Sequence, residues 1–114
     1  MKYNVKNFVF ISTDKAVNPI NIMGMTKKCG EILTKYYASL SSDKQNFSCV
    51  RFGNVIGSSG SFVEILKEQV LSGGPITITD KEASRYFMTI SDAVNLVIQV
   101  PYLKERGNTF VLKM

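Results

Sequence analysis

A hydroxyl, a carboxyl and an ammonium stand side by side at Thr13, Asp14 and Lys15, directly after Ser12. Groups of these three kinds can hold, give and take protons on a polar ligand. The plainer alternative is a turn or cap residue at Asp14 bonding its own backbone. A second set is Met23 and Lys27, which a helix would put one turn apart on one face. On chemistry alone these are a core methionine and a solvated lysine. A third is the string RFGNVIG at 51–57, where Asn54 is the one amide side chain between Gly53 and Gly57. Glycines let a backbone approach a ligand closely, and residues 57–61 ahead of a helix could offer free N–H groups to an anion. An ordinary strand-to-helix connection has the same appearance.

Positioning these groups requires elements that end beside one another. The apolar run at 8–12 has the pattern of a strand covered on both faces in a parallel sheet. After Asn18 and Pro19, apolar residues recur every three or four positions at Ile22, Met25, Cys29, Ile32, Leu33, Tyr36, Tyr37 and Leu40, which predicts an amphipathic helix closed by the polar residues 41–43. A second strand is expected over 47–52, followed by a small-residue loop. A helix over 61–71 would turn Phe62, Ile65, Leu66 and Val70 inward. Gly73, Gly74 and Pro75 stop it. A short strand at 76–78, an extended segment at 85–88, a helix over 91–100 capped by Ser91 or Thr89, and a last strand over 109–112 complete the chain. Strands alternating with helices make one unit over residues 1–114, of α/β class, with a partial Rossmann-like parallel sheet and flanking helices. Ligands of such sheets bind at the carboxyl ends of the strands, where residues 12–15 and 53–57 fall.

Composition agrees with one small globular unit: 114 residues, 45% hydrophobic and 11% aromatic. No apolar run approaches the roughly 18 residues of a membrane helix, and the stretch at 8–11 is too short for a signal-peptide core. A cytoplasmic location is expected. The net charge is +5, but the lysines are scattered and the arginines are only Arg51, Arg85 and Arg106, so nucleic-acid binding is not expected. There is no histidine, and Cys29 and Cys49 lack metal-ligand spacing, so no metal site is expected. Both cysteines are expected to be buried free thiols, although their types and positions leave a disulfide formally open.

Four segments occur in a telling order: FVFISTDKAVNP at 8–19, NIMG at 21–24 with Lys27, RFGNVIGSSGS at 51–61 and RYFMTI at 85–90. Together they resemble the extended short-chain dehydrogenase/reductases, and among them the nucleotide-sugar 4,6-dehydratases of bacterial polysaccharide biosynthesis. The resemblance covers nearly the whole chain. It implies NAD or NADP as cofactor and a UDP-sugar, UDP-N-acetylglucosamine, as substrate, converted to a 4-keto-6-deoxy sugar through transient oxidation at C4. It further implies that Thr13 bonds the C4 oxygen, Asp14 protonates the departing C6 hydroxyl and Lys15 takes the C5 proton. These roles would need the Asp14 pKa raised from roughly 3.9 and that of Lys15 lowered from roughly 10.4. Lys27 would hold the nicotinamide ribose, with Ser12 and Asn54 beside the cofactor. Asn54, Arg85 and Ser59 would meet the substrate, with Ser58 and Ser61 adding contacts. Arg85 suits a diphosphate through its planar fork, the alternative being an ion pair with Glu82 or Asp80.

Met23 stands where the family carries its catalytic tyrosine. A thioether has no proton to exchange, which leaves the base for C4 oxidation to Asp14 or an ordered water. Some larger, membrane-anchored members of the family also resemble this chain in carrying methionine there, so an anchor outside this chain fits the same reading. The glycine-rich turn with which the family binds the dinucleotide pyrophosphate does not occur here. The chain therefore resembles the later half of such a domain, expected to be inactive alone and to partner the missing N-terminal half. An unpaired strand edge would promote self-association. Alternatives of other kinds are a non-catalytic UDP-sugar-binding module and a nucleotide-sugar epimerase of the same superfamily.

Overall fold

In the computed structural model, which describes residues 3–42, 44–58, 60–78, 80–103 and 105–113, the first apolar run forms strand β1, Asn7–Thr13. It pairs in parallel with β2, Asn46–Phe52, in unbroken register from Asn7 opposite Asn46 to Thr13 opposite Phe52. On the far side of β2 lies β5, Thr109–Val111, also parallel. The order β1-β2-β5 makes β2 the central strand, and Ser48, Cys49 and Val50 on it are at most 1% exposed. The cover on both faces expected for β1 falls to β2 instead: Phe8 and Ile11 of β1 are 42% and 46% exposed, because among the described residues β1 is an edge strand.

Between β1 and β2 runs α1, Ile22–Leu40. Asn21 caps it by accepting from the Gly24 amide at 2.7 Å, which satisfies one of the open donors of the first turn. Two glycines let α1 lie close to what precedes it. A Cβ on Gly24 would stand 2.5 Å from the Lys15 carbonyl oxygen, and one on Gly30 would stand 2.3 Å from the Phe10 ring. The helix thus meets the sheet through Gly24, Glu31, Thr34 and Ala38, its buried positions. Its apolar stripe faces outward: Ile22 is 84% exposed, Leu40 61% and Ile32 58%. Cys29 shares this outer face and is exposed, contrary to expectation, whereas Cys49 is buried; both are free thiols.

The second half of the chain holds a smaller sheet. Residues 54–56, expected as loop, form β3, Asn54–Ile56, which pairs in parallel with β4, Phe87–Thr89. Three residues are too few to show a period, and the pairing is supplied by a segment more than thirty positions away. Helix α2, Phe62–Leu71, falls where expected, but none of its residues is buried. Helix α3, Ile90–Gln99, begins one residue earlier than expected, with Thr89 and Asp92 closing a reciprocal capping box. The strand expected over 76–78 is not formed. There the Thr77 amide donates to the Gln69 side-chain oxygen at 3.0 Å, so a side chain from α2 takes the place of a ladder partner. The last strand stops at Val111, not 112.

Candidate active site at the strand ends

The carboxyl end of β1 turns into a single 3-10 turn, Asp14–Ala16, capped by the Thr13 hydroxyl. This turn folds three chemical groups onto one another. The Thr13 hydroxyl donates to Asp14 Oδ1 at 2.8 Å, and Lys15 Nζ donates to the same oxygen at 3.0 Å. Lys15 Nζ also reaches Asn54 Oδ1 at 3.2 Å, a contact across thirty-nine positions of sequence. Because β2 runs beside β1 and hands the chain to β3, the register itself brings Asn54 to Lys15.

Burial pushes the Asp14 carboxyl up, but the hydrogen bonds from Lys15 and Thr13, with the Lys15 charge, outweigh it and hold the group below its usual 3.8. This reverses the expectation of a raised value. With an ammonium 3.0 Å away, Asp14 rests as a carboxylate, ready to accept a proton and not to give one.

Thr13, Lys15 and Asn54 line a cleft of about 420 Å³, with Ser58, Phe62 and Phe87 among its other walls. A second cleft, of about 330 Å³, shares Asn54, Phe62 and Phe87 with the first and contains Arg85. The two clefts can therefore take one elongated ligand with a polar group at each end. Phe62 and Phe87, whose rings lie 5.6 Å apart, form their common apolar wall. Arg85 donates to the Ser84 carbonyl oxygen at 2.7 Å and, among the described residues, pairs with neither Glu82 nor Asp80. Asp80 instead accepts from the Glu82 amide.

Other expected site residues stand apart from the first cleft. The Asp14 side chain is joined to that cleft through Thr13 and Lys15 but itself lines a neighbouring hollow with Arg51 and Tyr86. Lys27 lines none of these spaces. Its Nζ donates to the Ile11 carbonyl oxygen at 3.0 Å and lies 5.3 Å from the centre of the Phe10 ring, on the side of β1 that carries no strand among the described residues. Met23, one turn earlier, is 46% exposed. Ser12 borders the first cleft, but its hydroxyl donates inward to Glu31. Ser58 donates to the Val55 carbonyl oxygen. Ser61 caps α2 without a side-chain bond, and Ser59 lies outside the described residues.

Sequence reasoning passed over Glu31 and the paired rings of Phe62 and Phe87. A carboxylate four positions after Lys27 was a signal for the former. What faces it becomes apparent only when β1 and β2 are in register. Among the described residues, no helix is long and apolar enough to cross a membrane.

The chain matches the polysaccharide biosynthesis protein family over residues 1–114. It is 52% identical to the capsular polysaccharide biosynthesis protein CapD of Staphylococcus aureus over 112 residues, covering 96% of this chain and 18% of the relative. It is 38% identical to the UDP-glucose 4-epimerase of Rickettsia canadensis over 114 residues, 99% of this chain and 33% of that protein. Among solved structures, that of Pen from Bacillus thuringiensis superimposes with a TM-score of 0.90 at 40% identity, covering 96% of this chain and 34% of the other. The chain spans between about a fifth and a third of the length of these relatives. With its parallel sheet, its strand-end cleft and a match from end to end, the chain belongs to the polysaccharide biosynthesis protein family, within the nucleotide-sugar dehydratase and epimerase superfamily.

Proposed function

We propose that this chain is the substrate-side portion of a nucleotide-sugar 4,6-dehydratase acting on UDP-N-acetylglucosamine in polysaccharide synthesis. The observation that carries this reading is the hydrogen-bonded chain Thr13–Asp14–Lys15–Asn54 at the lip of a cleft that continues to Arg85. Both neighbouring strands deliver their polar residues to one point, as an open parallel sheet requires. The sugar would occupy the first cleft and the diphosphate would run past Asn54 toward Arg85, whose guanidinium fork matches phosphate oxygens.

A nicotinamide dinucleotide, NAD or NADP, would supply a reversible hydride acceptor for C4. Lys27 is suited to its ribose: an ammonium has three N–H donors, and the bond to the Ile11 carbonyl uses one. Thr13 orients the C4 hydroxyl. Asp14, kept ionised by Lys15 and Thr13, accepts the C4 hydroxyl proton, a role that Met23 cannot fill. That step neutralises Asp14, on whose Oδ1 the Lys15 Nζ rests. The amine, having shed its proton to solvent, withdraws the proton from C5. Asp14 then returns its proton to the departing C6 hydroxyl, which leaves as water, and Lys15 returns its proton to C5, while the hydride for C6 would be supplied by the dinucleotide. The sugar loses one water, Asp14 ends as the carboxylate it began as, and Lys15 regains from solvent the proton it gave up. A lowered pKa at rest and a later role as acid are thus compatible.

The test is a graft of this chain into the Staphylococcus aureus CapD relative in place of the 112 matched residues, incubated with UDP-N-acetylglucosamine and NAD or NADP. A 4-keto-6-deoxy product is expected from the graft and none from the 114-residue chain alone. In the graft, Asp14→Asn should lower turnover by about 10²–10⁴-fold. A graft that binds the sugar nucleotide but leaves it unchanged would favour a binding module, and inversion at C4 without loss of water would favour an epimerase, the activity named for the rickettsial relative.

A further inference from the structure

A buried carboxylate of α1 is held by β1 and β2, the two strands that lead into the turn with Asp14 and Lys15 and into β3 with Asn54. Glu31 projects from α1 toward the sheet and is 2% exposed. The Ser12 hydroxyl of β1 donates to its Oε1 at 2.6 Å. Arg51 of β2, the register partner of Ser12, donates from Nε to Oε1 at 2.8 Å and from Nη2 to Oε2 at 2.7 Å. Lys28 stands 3.9 Å away at the surface. Each anchor lies next to a residue of the site. Ser12 precedes Thr13, Arg51 is three positions before Asn54, and Glu31 is one helical turn beyond Lys27.

We infer that Glu31 is a positioning residue: its carboxylate sets the relative height of β1, β2 and α1 so that Lys15 bridges Asp14 and Asn54. A bidentate carboxylate–guanidinium pair has one geometry, and a third bond from Ser12 leaves no slack in it. Pure core stability would be served as well by apolar residues of the same volume, since a buried ion pair often adds little over such a replacement. Siting the pair at the level of Ser12, two residues before Asp14, serves geometry instead.

The inference rests on the reading of Asp14 and Lys15 as the reacting pair, but its test needs neither substrate nor turnover. The Asp14 carboxyl is titrated by carbon NMR in the folded 114-residue chain, in Glu31→Gln and in the paired variant Glu31→Gln with Arg51→Met. In Glu31→Gln, the decisive variant, direct electrostatics and loss of position have opposite signs. Removing the Glu31 charge and leaving Arg51 unpaired would lower the Asp14 midpoint, whereas loosening its bonds to Lys15 and Thr13 raises it. The expected result is a rise of roughly half a unit or more in both variants. The paired variant adds no uncompensated charge. Variants that fold with the Asp14 midpoint unchanged or lowered would overturn the inference, as would failure of the paired variant to fold, which would make the network a matter of stability alone. A failed graft with a positive titration would reject the dehydratase reading and leave the positioning role intact.

Discussion

At the residue scale, the site is governed by which partner each charge has. The role that the resemblance implies for Asp14 calls for a raised pKa. The fold sets Lys15 and Thr13 on one of its oxygens, and the lowered value follows. Glu31 responds in the same way. Burial pushes its carboxyl up, but bonds from Arg51 and Ser12 prevail and hold it below its usual 4.5. Its contribution to stability is therefore present above that ordinary value and is lost as pH falls through the lowered one. Glu31→Gln should cost roughly 3–5 kcal/mol at pH 7 in urea unfolding, and the gap to the unmodified chain should narrow toward pH 3. A gap independent of pH would contradict the ion pair. The two thiols give a second check. Cys49 is fully buried and its pKa is pushed up by burial, whereas Cys29 is exposed on α1. Under native conditions a thiol reagent should label one cysteine rapidly, and the second only on unfolding.

At the scale of elements, α1 is the piece whose orientation periodicity leaves undecided. Its spacing correctly marks an amphipathic helix over Ile22–Leu40, yet the side laid against the sheet is the one with Gly24, Glu31, Thr34 and Ala38. Small residues win there because the helix must approach the Lys15 carbonyl and the Phe10 ring closely. Gly24→Ala tests this directly. Helix propensity alone would stabilise by about 0.8–1 kcal/mol. The added methyl must displace backbone at the 3-10 turn, at a cost of about 1–3 kcal/mol. Net destabilisation by roughly 1 kcal/mol is expected in thermal unfolding. A stabilised variant would mean that α1 does not pack so tightly on the turn that holds Asp14 and Lys15.

At the scale of the whole molecule, the chain is extended for its size. Its radius of gyration is 17.2 Å, with extents of 57 × 28 × 27 Å, against about 13 Å for a compact chain of this length. The apolar stripe of α1 and the apolar hollow between α1 and β1, lined by Phe8, Phe10, Leu33, Tyr37 and Phe47, are open. Among the described residues, β1 also has one edge without a strand partner. Surfaces of this kind seek cover. The isolated chain should therefore self-associate in sedimentation velocity, with a weight that rises with concentration. A monomer at high concentration would show that these faces are tolerated in water.

Much of this protein was written in local order. Apolar runs and punctuating residues specify β1, α1, β2, α2 and α3 to within a residue or two, because each depends on neighbours at fixed spacing. The four motifs, in sequence order, identify the family for the same reason. What local order leaves open is whatever depends on two distant segments meeting. The β3–β4 pairing joins segments more than thirty positions apart, and the bond between Lys15 and Asn54 and the grip of Ser12 and Arg51 on Glu31 arise only when β1 and β2 lie in register. Through-space contacts also set the protonation of Asp14, since a carboxyl takes its pKa from the charges and donors around it and not from its place in the chain.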